Sequence, residues 1–486
     1  MRKSLIAALL ALLASGCMVG PDYLRPQVET PPAWRLSDEA ANDLANTAWW
    51  QQFDDPVLDD LVSAALRENH DLLIAAARIE EFAGNYGFVR ASLFPQVDAG
   101  YEAKRQRDIS AVVVGAGSGT TYNSYSAVLN ASWEIDIWGR IRRQTEAARA
   151  QLLASEEGRR GVILSLVGSV AGAYVNLRDL DRQLQIARAT ARIRGESYGI
   201  FKDRYTGGVI SLLELSQNKS QYDEALASIP PIEKAIAQQE NGLSVLLGRN
   251  PGPIPRGKDI DQLRLPAIPA GLPSELLERR PDIRRSEQNL IAANALIGAA
   301  KAAYFPTISL TGLFGYASTS LSNLFQGQNK VWSYGVPISM PIFTAGAIAG
   351  QVQSAEAVQQ QALFAYQKAI QQGFREVNDA LVDQDRTRAQ LRAQQQQVEA
   401  LEQYSATARL RYDNGYSSYI EVIDAERSLF NAQLQYTQTQ QVQFQAMINL
   451  YLAMGGGWVS EADKLTGATG EVPPDSASET TAPSRH

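Results

Sequence analysis

Few side chains in this sequence could carry out acid–base, nucleophilic or metal chemistry. The 486 residues include two histidines, His70 and His486, and one cysteine, Cys17. A single cysteine excludes disulfides within the chain, cysteine-rich zinc sites and thiol pairs. His70 lies in a charged, helix-forming stretch with no nucleophile motif beside it, so a histidine-based catalytic triad has no support. We therefore expect no enzyme, no cofactor and no metal site.

Three charged residues have a spacing that suits a different role. Glu421, Asp424 and Arg427 follow one another in steps of three, which places them on one face of a predicted helix. A cluster of this kind can be an ordinary solvated helix face. It can also line a constriction through which ions or solutes pass. The three residues by themselves leave both interpretations open.

The first residues of the chain have the pattern of an exported protein. Arg2 and Lys3 precede an apolar run at residues 5–13, as in a secretory signal peptide. Residues 13–17 (LASGC) resemble the lipobox at which bacterial lipoproteins are cleaved and acylated. We therefore expect a signal peptide over residues 1–16. A signal peptide that is cleaved nearby without lipidation is the alternative.

The lipobox also predicts how the mature protein begins. Cys17 becomes the lipidated first residue, with a palmitate among its acyl groups, and a proline-rich tether follows over residues 17–55. Position 18 is Met rather than the Asp associated with retention in the inner membrane, so the resemblance to lipoproteins indicates the outer membrane. One acyl chain gives only marginal anchoring. Another part of the protein must therefore hold it in the bilayer.

The charged cluster follows a predicted helix of unusual length. Residues 345–454 contain no proline and are dominated by Ala, Gln, Glu, Arg and Leu, which are strong helix formers. A first helix is predicted to end near residues 413–415 (DNG), where Gly415 can form a left-handed cap. A second helix is predicted over residues 419–454. The first, with roughly 70 residues, would span about 100 Å and needs neighbours along its whole length.

The first half of the chain predicts similar helices. One is expected over residues 56–90, and a long one over residues 139–205 that ends at a Thr-Gly-Gly sequence. A shorter helix is expected over residues 212–228, before an interruption by the prolines at 230 and 231. A further helix is predicted over residues 234–248.

Four segments alternate between apolar and polar residues, which indicates strands with one face of each kind. They lie near residues 97–104, 126–137, 308–316 and 332–342. Pro337 and Pro341 predict a bend or a local loss of pairing in the last strand. The apolar face is expected to include Leu129, Trp133, Tyr334 and Ile338, and the polar face Asn130, Ser132 and Ser339.

The sequence also contains an internal repeat, which is its most informative feature. Residues 304–306 (YFP) match residues 93–95 (LFP), 211 positions earlier, and residues 411–415 (RYDNG) match residues 204–208 (RYTGG), 207 positions earlier. Each half is therefore predicted as helix, hairpin, long helix, break and helix. The expected domains are a first repeat at 56–265, a second repeat at 266–457 and a partly disordered tail at 458–486.

A sheet with one apolar face is expected to lie in a bilayer, with apolar side chains toward lipid and polar ones toward water. A bilayer does not tolerate open sheet edges, and four strands cannot close a barrel, so several chains must contribute. Three chains would supply about twelve strands, which begin to leave room for water. A soluble β-sandwich is the alternative. The net charge of −7 argues against a nucleic-acid partner.

Short motifs distributed along the chain point to a known family. They are residues 19–23 (VGPDY), 271–277 (GLPSELL), 279–283 (RRPDI), 302–306 (AAYFP) and 455–458 (GGGW). In this order and spacing the chain resembles the TolC-like outer membrane factors of tripartite efflux pumps, and most nearly their OprM-like lipoprotein branch. The resemblance covers nearly the whole mature chain.

The resemblance implies a mixed α and β membrane protein that forms a homotrimer. Each two-repeat protomer would contribute four strands to a transmembrane β-barrel in the outer membrane and long helices to a periplasmic α-barrel. The implied partners are a periplasmic membrane-fusion adaptor and an inner-membrane pump of the resistance-nodulation-division type. The implied function is a passive exit duct for drugs. A duct for protein secretion and a pore-less periplasmic coiled-coil scaffold lipoprotein are the alternatives.

The resemblance also implies a role for particular residues. In this family the positions that match Glu421, Asp424 and Arg427 carry a constriction at the periplasmic end of the tunnel, beside the helix turns. Tyr412 and Glu214 match a pair that links inner to outer helices. These five residues are therefore the expected periplasmic gate.

Overall fold

The protein is described by a computed structural model that covers residues 18–27, 31, 34, 48–108, 120–267, 276–455 and 458–466. The predicted signal peptide, Cys17, about half of the tether and most of the tail lie outside the described residues. The described α-helices are α1 (Pro56–Glu68), α2 (His70–Ala91), α3 (Arg140–Thr206), α4 (Leu212–Leu246), α5 (Leu276–Arg279), α6 (Pro281–Ala302), α7 (Ala347–Asp413), α8 (Tyr419–Met454) and α9 (Trp458–Lys464).

The described strands form one antiparallel sheet. They are β1 (Gln96–Asp108), β2 (Thr120–Ile135), β3 (Thr307–Ser318), β4 (Lys330–Gly335) and β5 (Ile338–Ser339). The order across the sheet is β1-β2-β3-β4, and β5 also pairs with β3. The hairpin predicted between the first two strands is therefore present.

Two compact units make up the described chain. The sheet unit comprises residues 1–27, 79–155 and 285–367, and the helical unit comprises residues 28–78, 156–284 and 368–486. Each unit takes segments from both halves of the sequence. The internal repeat therefore does not correspond to two separately packed domains.

The repeat is nevertheless evident in the order and length of the elements. Helices α2 and α6 both have 22 residues and begin 211 positions apart. Helices α3 and α7 both have 67 residues and begin 207 positions apart. The equal lengths indicate that each half forms the same series of elements.

The strand register places the alternating residues on opposite faces of the sheet. Leu129 pairs with Phe314, which pairs with Trp332, so these three apolar side chains share a face. On the other face Asn130 pairs with Asp98, and its amide donates to that carboxylate at 3.1 Å. The predicted division into an apolar and a polar face is confirmed.

The predicted disturbance of the last strand is also confirmed. β4 ends at Gly335, and pairing with β3 resumes only at Ile338 and Ser339. Pro337 lies in the gap and has no N–H to donate, although its carbonyl accepts from the Ser309 N–H at 3.1 Å.

The prediction of one helix over residues 56–90 is wrong, because Asn69 divides it into α1 and α2. Asn69 has ψ of 127°, outside the helical region. Its side chain accepts from the Leu72 N–H at 3.1 Å and donates to the Leu246 carbonyl at 2.9 Å. Asparagine is a favourable N-cap residue, and here its amide also binds α4.

The predicted interruption at Pro230 and Pro231 is wrong as well, since α4 continues through both. Two prolines remove the N–H donors that would reach the carbonyls of Leu226 and Ala227. Both of these residues are exposed in the helical unit. Water can therefore satisfy their carbonyls, which reduces the penalty for keeping prolines inside a helix.

The segments predicted as tether and tail both contribute to the core of the helical unit. Trp49 and Trp458 are 0% exposed, and their ring centroids lie 5.9 Å apart. Trp49 also stacks on Tyr451 at 5.2 Å. Burying these large aromatic side chains stabilises the fold by several kcal/mol, on the order of 1.5–3 kcal/mol each. Parts of the tether and of the tail therefore include ordered, buried residues.

One helix in the described part of the chain, α3, is long and apolar enough to cross a membrane by length and composition. More than half of its most apolar window is buried against other parts of the protein. A core helix has the same properties, so we regard α3 as a packed helix.

We predict that the two faces of β2 differ sharply in their tolerance of charge. Leu129→Arg should destabilise membrane-inserted protein by about 2–4 kcal/mol, because an arginine on a lipid-facing side near the midplane is poorly solvated. Asn130→Arg, on the polar face, is the matched control and should insert normally. The measurement is the yield of heat-modifiable trimer in the membrane fraction. Equal yields from the two variants would contradict the assignment of the faces.

Candidate functional site

Two tight turns join the long helices to the helices that follow them. Gly208, between α3 and α4, has φ of +74°, and Gly415, between α7 and α8, has φ of +77°. Nothing lies within 4 Å of a Cβ built at either position, so the left-handed backbone, rather than crowding, favours glycine. The N–H groups donate to the carbonyls of Tyr205 and Tyr412, both at 2.9 Å. The two turns therefore have the same C-terminal cap.

A small apolar core packs the helices together beside the turns. Tyr419 is central to it, with its ring 4.3 Å from the Phe201 ring and 5.0 Å from the Tyr412 ring, between centroids. Val422 and Ala425 from α8 complete the buried set and are 0% exposed. We call residues 194–224 and 408–430, which contain this core and both turns, the turn region.

The predicted charged cluster lies on the surface of the turn region. Asp424 Oδ1 and Arg427 Nη2 form an ion pair at 3.0 Å, and both side chains are more than half exposed. Glu421 lies one turn earlier on the same helix and is half-buried. An exposed ion pair of this kind contributes only about 0.2–1 kcal/mol. The pair can therefore be broken at little cost.

The structure does not bring Tyr412 and Glu214 together as the resemblance implied. The Glu214 carboxylate accepts from the Ser211 N–H at 2.8 Å and the Ser211 hydroxyl at 3.0 Å. This is a capping box at the start of α4, in which a glutamate at the third helical position satisfies the N-cap backbone. The Tyr412 hydroxyl instead accepts from Arg204 Nη1 at 3.4 Å. The link between helices at this point is therefore Arg204 to Tyr412.

A buried hydrogen-bond network was not predicted from the sequence. The Tyr419 hydroxyl accepts from Asn218 Nδ2 at 2.7 Å and lies 3.0 Å from Ser197 Oγ. All three residues are buried, and they come from α8, α4 and α3 respectively. Burial raises the pKa of Tyr419, so the hydroxyl stays protonated. Three helices are thus joined by neutral hydrogen bonds that are costly to leave unmade.

One buried and one half-buried charged residue, Arg194 and Glu426, lie next to this network. The Arg194 side chain is 3% exposed and lies 3.5 Å from Glu224, and its guanidinium stands 5.5 Å over the Phe430 ring. Burial raises the pKa of Glu426, while the positive charges of Arg409 and Arg194 oppose that rise. The sequence offered no signal for either residue, because both belong to charged helical stretches.

The arrangement has no feature of a catalytic or metal centre. Among the residues that the structure describes, no group of three or more His, Cys, Asp and Glu side chains could hold a metal ion. His70 is exposed at the start of α2. In the turn region, the weak and exposed ion pair of Asp424 and Arg427 lies above a buried, hydrogen-bonded core.

Comparison with known proteins decides the family. The sequence model of the outer membrane efflux protein family matches residues 61–249 and 272–456. The chain belongs to this family. Both matched segments include a strand pair, a long helix and one of the two turns.

Relatives align over nearly their whole length. The toluene efflux pump outer membrane protein TtgC of Pseudomonas putida is 36% identical over 470 residues, which is 95% of this chain and 97% of the relative. The cation efflux system protein CusC of Escherichia coli is 37% identical over 454 residues, or 92% of this chain and 97% of the relative.

Solved channels have the same fold. The Campylobacter jejuni outer membrane channel CmeC matches with a TM-score of 0.86 at 26% identity, over 92% of this chain and 99% of that one. A CusC structure matches with a TM-score of 0.81 at 35% identity, over 90% of this chain and all of that one.

These findings confirm the predicted class of protein. The chain is a TolC-like outer membrane factor, a trimeric channel with a β-barrel in the outer membrane and helices in the periplasm. It acts as the exit duct of a tripartite efflux system, together with a periplasmic adaptor and an inner-membrane resistance-nodulation-division pump. The family is one of channels and not of enzymes.

We predict that acid tightens the turn region through Glu426. Its pKa is raised by burial, so its contribution to stability is greatest when it is protonated and is lost as the pH rises through its folded-state pKa. Hydrogen exchange of residues 419–430, corrected for the intrinsic rate, should slow on acidification in the wild type. Glu426→Gln should remove that difference.

The control is Glu402→Gln, which changes an exposed glutamate on α7. It should keep the wild-type dependence on pH. The difference between wild type and Glu426→Gln therefore reports the Glu426 carboxyl. An unchanged profile in Glu426→Gln would contradict the prediction.

Proposed function

We propose that this duct conducts small organic solutes, including drugs, and that cargo is selected by the pump rather than by this chain. Relatives at 36% and 37% identity are named for toluene and for cation efflux respectively. Similar ducts thus serve chemically different cargo. We also propose that the chain catalyses no reaction, because conduction needs only a wide, water-filled path.

The observation that carries this function is the sheet with opposite faces. Leu129, Phe314 and Trp332 present an apolar side that suits lipid, while Asp98 and Asn130 form a polar side that suits water. A pore-less scaffold has no use for such a sheet.

We also propose that the turn region is the periplasmic gate, with Glu421, Asp424 and Arg427 at the constriction. The relative strengths of two sets of contacts support this proposal. The pair of Asp424 and Arg427 is exposed and weak, whereas the Tyr419 network beneath it is buried. Three pairs in a trimer would bias the closed state by about 1–3 kcal/mol in total, and the binding of an adaptor can exceed that bias.

Glu214 and Tyr412 then serve the gate indirectly. Glu214 fixes the start of α4 through Ser211, and Tyr412 connects α7 to α3 through Arg204. Both hold the turns in register rather than touching the constriction. Opening is proposed to break the contact between Arg204 and Tyr412, which at 3.4 Å is long for a hydrogen bond.

Apolar side chains at the turns are the proposed contact with the adaptor. Val209 and Leu213 are 75% and 66% exposed, and Tyr416 is 78% exposed. Exposed apolar groups clustered at two adjacent turns favour a protein partner over solvent. A partner that binds there would act directly on the helices that carry the gate.

We further propose that residues 1–16 are a removed signal peptide and that Cys17 carries the lipid. The sequence at 13–17 supports this assignment. The proposed repeats remain residues 56–265 and 266–457. The support for them is the equal length of the helices in the two halves.

The function is tested by single-channel recording of the purified trimer in a planar bilayer. We predict discrete conductance steps, because three sheets closed into a barrel enclose water. In cells, deletion of the gene should raise sensitivity to organic antibiotics while leaving the secretion of proteins unchanged. A trimer that inserts without conducting would contradict the duct.

We predict that loss of the exposed ion pair opens the gate. Asp424→Ala combined with Arg427→Ala should raise resting conductance by roughly 5–150-fold, the range that corresponds to about 1–3 kcal/mol of lost bias. The matched control removes Arg375 and Asp379, an exposed pair on α7 at 3.9 Å and outside the turn region, and should conduct as the wild type does. Equal conductance of the two double variants would exclude the pair from the gate.

A further inference from the structure

The beginning of the described chain is held firmly on the sheet unit. The Arg143 side chain is only 2% exposed, and its Nη2 lies 2.7 Å from Asp22 Oδ1. Its Nε also donates to the Val19 carbonyl at 3.4 Å. From α6, Asn294 Nδ2 donates to the Pro21 carbonyl at 3.0 Å. A buried guanidinium that binds this segment indicates a built docking site and not a loose tether.

A close approach of two glycines strengthens this docking. Gly20 has φ of +102°, and a Cβ there would lie 2.3 Å from the Gly298 Cα. Only glycine fits such a position. The backbone of the segment therefore packs directly on α6, and the position of the neighbouring residues is fixed.

The segment leads to the end of the sheet at which β2 ends and β3 begins. The Val19 N–H donates to the Trp138 carbonyl at 3.0 Å. The Trp138 indole N–H in turn donates to the Pro306 carbonyl at 2.8 Å, and its ring stacks on Phe305 at 4.6 Å. Trp138 follows the end of β2 and Pro306 precedes β3. Met18 is thus placed where these two strands begin and end, and Cys17 is one residue, about 3.8 Å, further along the backbone.

The apolar face of the sheet has a groove near this end of β2 and β3. It is a shallow, open groove with a volume of about 440 Å³. Small residues, Ala131 and Gly312, pair at its floor. Leu129 and Phe314 form one side and are about half exposed. The remaining apolar side chains on this face of the groove are Val97, Trp332 and Tyr334.

The groove suits a flexible hydrocarbon chain. Its walls are aliphatic and aromatic side chains, with the rings of Trp332 and Tyr334 stacked at 5.8 Å and nearly parallel. A straight acyl chain has no polar group to satisfy, so burying it here costs no hydrogen bonds. Each methylene group that the groove removes from water or from looser packing adds to the free energy that holds the acyl chain there.

Such a chain can reach the near end of the groove. Trp138 and Pro306, beside Met18, lie seven residues from Ala131 and six from Gly312, or at most about 23 and 20 Å along extended strands. An acyl chain spans about half of the 30 Å hydrocarbon core, roughly 15 Å, and Cys17 adds about 3.8 Å of backbone. A lipid attached beside Met18 can therefore reach the Gly312 end of the groove.

We propose that this groove holds an acyl chain of the lipid on Cys17. The lipid then forms part of the outer surface of the barrel and is not a free anchor in the bilayer. The docked segment positions the chain, and the glycine floor gives it room. This inference rests on the proposed lipidation of Cys17, but not on the gate or on the nature of the cargo.

The test is photocrosslinking of the full-length trimer in cells fed a diazirine-bearing palmitate. Irradiation followed by digestion and mass spectrometry should yield the N-terminal peptide joined through its acyl chain to peptides that contain Ala131 or Gly312. Groove peptides joined only to free phospholipid would overturn the proposal. An N-terminal peptide without an acyl group would overturn it too, while leaving the recorded conductance, and hence the duct, unaffected.

Two variants make the result specific. Gly312→Leu fills the floor, where an added Cβ meets only the Ala131 Cβ at 3.9 Å, and should abolish the crosslink to the groove. Ala127→Leu lies on the same face of β2 outside the groove and should retain it. If both variants crosslink as the wild type does, the groove is not the binding site. The wild-type crosslink decides the question alone if Gly312→Leu does not form trimers.

Discussion

The need to pair every strand edge within a bilayer governs the rest of this structure. In the order β1-β2-β3-β4 the outer strands carry backbone N–H and C=O groups that the sheet itself does not pair. Hydrocarbon offers these groups no partners. A single protomer is therefore incomplete in the membrane, and the trimer of this family supplies the missing neighbours. Long helices with narrow apolar stripes have the same dependence on neighbours.

Threefold assembly would allow small energies to control the proposed gate. The exposed pair of Asp424 and Arg427 is weak in one protomer, but it occurs three times in the trimer. Beneath it, Tyr419 joins three helices through neutral, buried hydrogen bonds. The buried contacts keep the helices of a protomer together, while the exposed ones can be exchanged for contacts with a partner. Under our proposal, this separation is what would let the gate move without unfolding the turn region.

The ends of the chain are more integrated than their composition suggests. Trp49 and Trp458 meet edge to face in the core of the helical unit, although one lies in a proline-rich leader and the other in a polar tail. In the sheet unit, Arg143 binds the segment that begins at Met18. The segment that follows the proposed lipidation site is therefore held in a defined place on the sheet unit.

Local patterns determined much of this fold, because they depend on residues close in sequence. The alternation at Leu129 and Asn130, the cap at Gly415 and the break at Pro337 all follow from backbone geometry and periodicity. Contacts between distant residues were decided only by the tertiary structure. Asn69 divides a helix because it reaches Leu246, and the partner that Tyr412 meets is Arg204, 208 positions away. The Tyr419 network joins residues about 200 positions apart, and no local pattern reports which distant partner a buried polar group will meet.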